Sequence, residues 1–263
     1  MLFHIIADYG HGDLAFSEVV QRIKMHLPDA EPVLLPVPAF STLGAGFCIA
    51  QLGMNEAAAG TIIYHNVAPR EDDPGARQAN AGEQLAFARL PTGVRVIGVN
   101  AGNAFSFVRD AASEFHWAAA PAEGSQFRSR DLFPQAAAAI ALGAPDALGD
   151  KIERSAIPPI PASRIAYIDG YGNLKTTVEF HDVQKWIGKR VHVKIGSVTR
   201  EALASDGSFG VEHGQLAFAP GSSGWKQPDG RNVRWMELFL RDGNAWQEFS
   251  RPKIGDPIEL QGV

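Results

Sequence analysis

The chain has 263 residues, which is long enough for one large domain or two ordinary domains, each with a hydrophobic core. Apolar residues make up 45% of the sequence and charged residues 20%, a balance typical of globular rather than disordered proteins. The formal net charge of −5 argues against a nucleic-acid binder, which would present a basic face.

The single cysteine, Cys48, excludes an intramolecular disulfide, and its apolar neighbours predict a buried thiol. An acid at Asp8 interrupts the first apolar run too early for a signal peptide. No run approaches the ~20 apolar residues that a membrane-spanning helix needs. We therefore expect a soluble cytoplasmic protein with no membrane partner.

The first half alternates strand-like and helix-like segments. Four short apolar runs predict strands, at residues 2–6, 33–35, 61–67 and 94–99. Four segments with helical spacing or composition predict helices, at residues 16–27, 45–58, 105–112 and 131–142. Gly60 is expected to close the second helix. Strands that alternate with helices predict a mostly parallel sheet covered on both faces.

A proline cluster at residues 156–161 marks a linker, since each proline restricts itself and the residue before it. Beyond it, short strands separated by glycine turns are predicted at residues 164–168, 176–180, 191–195, 215–218, 235–240 and 257–260. Only residues 183–187 look helical. The sequence thus predicts an α/β domain over residues 1–158 and an all-β barrel or sandwich over residues 162–263.

Asp8 ends the first predicted strand, at the edge where open α/β sheets bind ligands. A carboxylate there would accept hydrogen bonds from a ribose diol, or it would cap the following helix; both interpretations remain open. His11 and Asp13 lie nearby, but their spacing matches no specific ligand pattern, so we predict no metal site.

The turn at residues 167–174 carries an acid, an aromatic ring and an amide: Asp169, Tyr171 and Asn173. Its two glycines allow backbone conformations that would bring these side chains together. One interpretation is a binding site for a ligand with an ammonium group and a flat ring. The other is a tight hairpin with a polar tip.

Two further segments favour structural roles. Residues 98–103 follow a strand but lack the G-x-G-x-x-G order of a phosphate loop, which favours a simple turn. Asp131 opens the alanine-rich helix and is expected to cap it.

The order of these motifs resembles the S-adenosylmethionine hydroxide adenosyltransferase family, which includes the fluorinases and chlorinases. The family's T-D-F-G is similar to residues 7–10, F-H-G-R-D-I-F-x-P to residues 127–134, and Y-x-D-x-F-G-N-L to residues 167–174. Its L-E-I-A-V-N-x-G-N-A and V-G-D-P-V are similar to residues 236–245 and 254–258. The resemblance covers essentially the whole chain.

The resemblance implies displacement of methionine from the ribose C5′ of S-adenosylmethionine (SAM), by water or by a halide. It implies that Asp8 holds the ribose hydroxyls. Asp169 and Asn173 would hold the amino-acid end, and Tyr171 would take the family's aromatic position. It also implies a homotrimer with sites between subunits, and SAM as substrate or ligand with no further cofactor.

The sequence departs from the family at the positions that would surround the attacking water. The family aspartate falls on Ala68, or on Asn66 in a shifted alignment, and the family histidine falls on Arg128. Arg77 would serve as the family arginine, so Arg77 and Arg128 are the candidate catalytic residues. Because a guanidinium stays protonated, Arg128 cannot act as a general base.

Other groups near the altered loop would substitute if the loop folds inward: His65, Glu71, Asp72 or Asp73. The alternative hypothesis is a catalytically inactive trimeric protein that binds SAM or adenosine.

Overall fold

A computed structural model describes residues 1–69, 75–76, 78, 81–121 and 123–262. The chain divides into two compact units, Met1–Pro159 and Ile160–Val263. It is a mixed α/β fold with one seven-stranded sheet in each unit, and the predicted α/β class is confirmed at that level.

The elements of the first unit follow in chain order. They are β1 (Leu2–Ala7), α1 (Leu14–His26), β2 (Glu31–Pro36), α2 (Thr42–Gly53), β3 (Ile62–Asn66), β4 (Leu85–Arg89), β5 (Arg95–Val99), β6 (Glu114–Ala118), α3 (Arg128–Asp131), α4 (Phe133–Ala141) and β7 (Leu148–Lys151). The strand order is β2-β1-β3-β5-β4-β6-β7. Strands β2, β1, β3 and β5 run parallel, whereas β4, β6 and β7 pair antiparallel. The sheet is therefore parallel in one half and antiparallel in the other, rather than mostly parallel as expected.

Buried apolar side chains explain why α1 covers the sheet. Phe16, Val19 and Ile23 recur at helical spacing, are buried, and pack into the core with β1 and with α4. The helix begins after Asp13, whose carboxylate accepts a hydrogen bond from the Ala15 amide at 2.8 Å. Asp8 therefore does not cap this helix.

The crossovers leave β1 in opposite directions. The chain passes from β1 through α1 to β2 on one side, and then through α2 to β3 on the other. In open α/β sheets the crevice at the carboxyl ends of such strands is the usual ligand position. Asp8 and Asn66 lie at this edge, because β1 ends at Ala7 and β3 at Asn66.

Several helix predictions for the first unit were wrong. Helix α2 ends at Gly53, so the predicted continuation to residue 58 and closure at Gly60 do not occur. Residues 105–112 form successive turns, with amides bonded three residues back, instead of a helix. Asp131 is the last residue of α3 and binds Arg130 and Ser125, so it does not cap α4. Proline at the start of α4 fits its lack of a side-chain cap.

The elements of the second unit are mostly strands. They are β8 (Ile165–Ile168), β9 (Leu174–Glu179), α5 (Phe180–Val183), β10 (Arg190–Ile195), β11 (Val198–Ala204), β12 (Leu216–Lys226), β13 (Asn232–Leu240), α6 (Ala245–Glu248) and β14 (Ile258–Gly262). The helix predicted at 183–187 is instead the end of α5 followed by a short 3-10 turn. Buried residues alternate with exposed ones along β10, as in a sheet with one face on a core.

The sheet order in this unit is β14-β10-β11-β12-β13-β9-β8. Its two edge strands meet at one end through an isolated bridge between Arg164 and Pro257. The Ile165 amide donates to the Asp256 carbonyl at 3.0 Å, and the Ile258 amide donates to the Ser163 carbonyl at 2.9 Å. In the described part of the chain, no helix has the length and apolar character needed to cross a membrane.

Candidate functional site

The loop after β1 holds a carboxylate against a strained aromatic residue. Asp8 Oδ2 accepts a hydrogen bond from the backbone amide of Phe40 at 2.9 Å. Phe40 has a φ of 60° and its side chain is exposed. A bulky residue in the left-handed region is uncommon and costs about 1–3 kcal/mol, which the surrounding contacts must offset. Asp8 therefore holds the backbone of Phe40, whose side chain is exposed, at the carboxyl edge of the sheet.

A chain of polar groups lies at the same edge. Asn66 Nδ2 donates to the Tyr9 hydroxyl at 3.0 Å, and that hydroxyl lies 2.7 Å from Ser129 Oγ. The Tyr64 hydroxyl donates to the Ser129 carbonyl at 2.9 Å. The ring of Tyr9 packs edge-on against Phe127, with centroids 5.9 Å apart. The loop after β1 is thus tied both to β3 and to the start of α3.

Arg128 lies in α3, and its guanidinium contacts a backbone carbonyl and an aromatic ring. Its Nη1 donates to the Gly82 carbonyl at 3.3 Å, and its guanidinium carbon lies 5.2 Å above the ring of Phe133. Ala68, one of the two positions that the resemblance offers for the family aspartate, packs partly buried against the hydrophobic core. The other candidate catalytic residue, Arg77, lies outside the described residues, as do Glu71, Asp72 and Asp73.

His65 is not positioned to replace the missing base. Its ring is fully buried beneath Gly98 and meets the ring of Phe105 edge-on at 5.2 Å. Burial lowers the pKa of His65 to about 3, because the imidazolium would lose its hydration. An enclosed, neutral imidazole in this position has no path to a substrate.

In the second unit, Asp169 organises its own turn. Its Oδ1 accepts hydrogen bonds from the amides of Tyr171 and Asn173, both at 3.0 Å. Its Oδ2 accepts from Asn173 Nδ2 at 3.0 Å. Such a side-chain mimic of a backbone turn is the usual role of aspartate in tight turns. Asp169 and Asn173 therefore bond each other within the turn, and Tyr171 remains exposed.

Gly172 fixes this turn against the start of α6. It has a φ of 84°, and its carbonyl accepts the Trp246 amide at 2.8 Å. A Cβ at Gly172 would lie 2.2 Å from Asn244 Oδ1, so only glycine allows this approach. The two sequence motifs around Asp169 and Asn244 meet at this contact.

Tyr171 and Asn173 line an open cavity of about 860 Å³ in the second unit. Phe209 and Phe239 also line it, with their rings edge-on and 5.3 Å apart. Tyr171 is 82% exposed and Phe209 76% exposed, which is unusual for large aromatic side chains. A cavity of this size with aromatic walls is typical of a site for a flat small molecule.

A buried ion pair borders this cavity through Glu237. Glu237, which lines the cavity, is 5% exposed, and its Oε2 accepts from Lys175 Nζ at 2.6 Å. Glu237 Oε1 accepts from the Ser208 hydroxyl at 3.1 Å. A Cβ at Gly221 would lie 2.0 Å from the Glu237 carboxyl carbon, so the carboxyl group packs directly against backbone.

Sequence reasoning missed Phe40, Phe209, Lys175 and Glu237. One local signal was present for the last two: each is a charged residue among apolar or β-branched neighbours in a strand, β9 for Lys175 and β13 for Glu237. Buried charges in strands are rare unless they are paired. Phe40 and Phe209 give no such signal, because only the structure shows their exposure and position.

The comparisons with known proteins establish the fold alone. A crystal structure of an uncharacterized conserved protein from Thermotoga maritima is similar, with a TM-score of 0.75 and 19% identity. The match covers 98% of this chain and 99% of that one. A conserved hypothetical protein from Thermus thermophilus matches with a TM-score of 0.65 and 18% identity, over 98% of both chains. No family model and no curated protein matches the sequence.

Proposed function

We propose that this protein binds SAM and promotes nucleophilic displacement at the ribose C5′, with water giving adenosine and methionine or with a halide as a variant. The observation that carries the proposal is the aromatic cavity lined by Tyr171, Asn173 and Phe209. Its exposed rings offer flat faces on which a purine would stack. The motif around this turn is also one of the five parts of the sequence that resemble the SAM-dependent family.

The first unit supports the proposal with groups suited to a ribose. The Asp8 carboxylate lies at the carboxyl edge beside β1, where nucleoside ligands commonly bind in open α/β sheets. A carboxylate there would accept hydrogen bonds from both hydroxyls of a ribose diol. The exposed ring of Phe40 would exclude water from the same edge.

The displacement reaction needs few catalytic groups from the protein. In the hydrolytic reaction the water oxygen bonds to C5′, the C5′–S bond breaks, and its electron pair neutralises the sulfonium to give methionine. The water also releases a proton to solvent. Because the sulfonium leaves readily, alignment and desolvation of the nucleophile supply most of the acceleration.

The finer features of the proposal are a barrel-like second unit and a homotrimer with sites shared between subunits.

A second candidate function is binding without turnover. It is favoured by Ala68, which brings no acid to the family's aspartate position, and by Arg128, whose guanidinium binds Gly82 and stacks on Phe133. Loss of positioned acid–base groups commonly lowers rates by ~10²–10⁴. Binding would then persist while displacement falls to a slow residual rate.

Turnover and binding are separated by two measurements on the pure protein. Incubation with SAM, with and without halide, is followed by chromatography of adenosine, halo-adenosine and methionine. Calorimetry measures SAM and adenosine binding in parallel. Product formation supports the displacement reaction, whereas binding without product supports the second candidate. Absence of both would refute the adenosyl assignment.

Matched variants connect these measurements to the cavity. Tyr171→Ala and Phe209→Ala each remove an exposed ring, so they should weaken binding by about two- to tenfold, from lost stacking worth about 0.5–1.5 kcal/mol, without unfolding the protein. Leu142→Ala is the control, since Leu142 is similarly exposed but lies after α4. Asp169→Ala is a poorer probe because the Asp169 side chain builds the turn.

A further inference from the structure

The ion pair that borders the aromatic cavity bears on which ligands the cavity accepts. Lys175 is 8% exposed, and besides its contact with Glu237 its Nζ lies 3.6 Å from Asp169 Oδ2. One ammonium thus lies between two carboxylates, one in the cavity wall and the other in the turn that carries Tyr171. The charges of Lys175, Glu237 and Asp169 sum to −1.

Both carboxylates already have donors. Asp169 accepts three hydrogen bonds within its turn, and Glu237 accepts from Lys175 and Ser208. Buried carboxylates that are paired in this way gain little from a further cation, whereas unpaired ones would attract a cation strongly. The internal ammonium therefore occupies the electrostatic role that a ligand ammonium would otherwise fill.

We propose that Lys175 is a specificity-determining residue, which lets the cavity bind an aromatic ligand by its ring without requiring a positive charge on that ligand. The inference rests on the proposed function in taking the ligand to be an adenosyl compound. On this basis the site accepts neutral nucleosides, such as a thioether of adenosine, about as well as SAM. The lysine acts on selectivity through charge rather than through direct contact.

Removal of the Lys175 ammonium should raise the affinity for a cationic ligand relative to a neutral one. Lys175→Met leaves two carboxylates without their shared cation, so a ligand cation nearby should gain affinity over a neutral ligand. At the effective dielectric of a partly buried site, unit charges several ångströms apart interact strongly enough to change an affinity ratio about tenfold or more. Glu237→Gln added to Lys175→Met returns the net charge to −1 and should restore the original ratio.

The test compares dissociation constants for SAM and for 5′-methylthioadenosine, a neutral thioether that shares the adenosyl group but lacks the amino-acid end. Calorimetry measures both constants at the same pH for every variant. The affinity ratio should shift about tenfold towards SAM in Lys175→Met and return in the double variant. Lys194→Met is the matched control, because Lys194 is a strand lysine paired with Glu259 on the surface. A ratio that stays constant across all variants that bind would overturn the inference.

A second probe pair separates this inference from the proposed function. Tryptamine and 3-ethylindole share an aromatic ring and differ by one ammonium group. Suppose that no adenosyl compound binds, but that the affinity ratio of tryptamine to 3-ethylindole rises in Lys175→Met and returns in the double variant. The charge role of Lys175 is then supported, and the adenosyl assignment is refuted. If Lys175→Met fails to fold, Glu237→Gln alone carries the test, since its extra positive charge should move the ratio towards the neutral ligand. An unmoved ratio there, or no binding of any of the four probes, would overturn the inference.

Discussion

His65 should make the first unit markedly less stable in mild acid. Its ring lies on the face of the sheet opposite Tyr64, is fully buried, and has no hydrogen-bond partner for either nitrogen among the described residues. Burial lowers its pKa from the ordinary value of 6.5 to about 3. Between these pH values the unfolded chain binds a proton at this site that the folded protein does not bind.

The sign and size of the effect follow from this difference. Because only the unfolded state gains the proton, stability is greatest above the unfolded pKa and falls as the pH drops below about 6.5. The loss from this one group is about 2 kcal/mol between about pH 8 and about pH 5, and about 4 kcal/mol by about pH 3. It levels off once the folded protein also takes up the proton.

Urea unfolding followed by far-ultraviolet circular dichroism measures the effect when it is repeated across this pH range. His65→Leu should lose about 2 kcal/mol less than the wild type between about pH 8 and about pH 5. His26→Leu, at the exposed end of α1, is the control and should follow the wild type. Parallel pH profiles for the wild type and His65→Leu would show that the buried-imidazole argument is wrong.

Three further substitutions or treatments test close packing. Gly98→Ala should destabilise the protein by roughly 1–3 kcal/mol in urea unfolding, because its Cβ would lie 1.9 Å from the ring of His65. Adding His65→Ala should recover part of that loss. Gly172→Ala should lower the melting temperature, since it combines a φ of 84° with a clash on Asn244, and an unchanged melting temperature would refute this contact. Cys48, whose pKa burial raises to about 12, should resist iodoacetamide in the native protein and react after unfolding in urea.

The parts of the fold that the sequence predicted well are those with continuous apolar runs or clear periodicity. Strands β1, β3 and β5 are buried on both faces and carry unbroken apolar segments. Strands β4 and β6 were missed, because segments of five residues with charged or polar ends give little pattern. Residues 105–112 have helical spacing, but most of their backbone hydrogen bonds reach the carbonyl three residues back, and the spacing of apolar residues does not distinguish such turns from a helix.

For the candidate site, the sequence predicted the position of the residues better than the charge that the cavity presents. The sequence placed Asp169, Tyr171 and Asn173 on one turn, and the structure describes them there. What no local pattern could show is that Asp169 and Asn173 satisfy each other, or that Lys175 pairs with Glu237 from a strand 62 positions away. Those long-range partners decide how much negative charge the cavity offers to a ligand.

The same physical point applies to the two acids of the proposed function. Asp8 and Asp169 both resemble ligand-holding acids in sequence, yet each carboxylate accepts hydrogen bonds from its own protein. Asp8 accepts a backbone amide through Oδ2, and the structure shows that bond holding Phe40 in place. Asp169 accepts three hydrogen bonds and lies beside an ammonium. Since an acid that builds its own turn gains less from a ligand cation, the aromatic walls rather than Asp169 should dominate affinity in the second unit, and Asp8 should remain the acid that a ribose would engage.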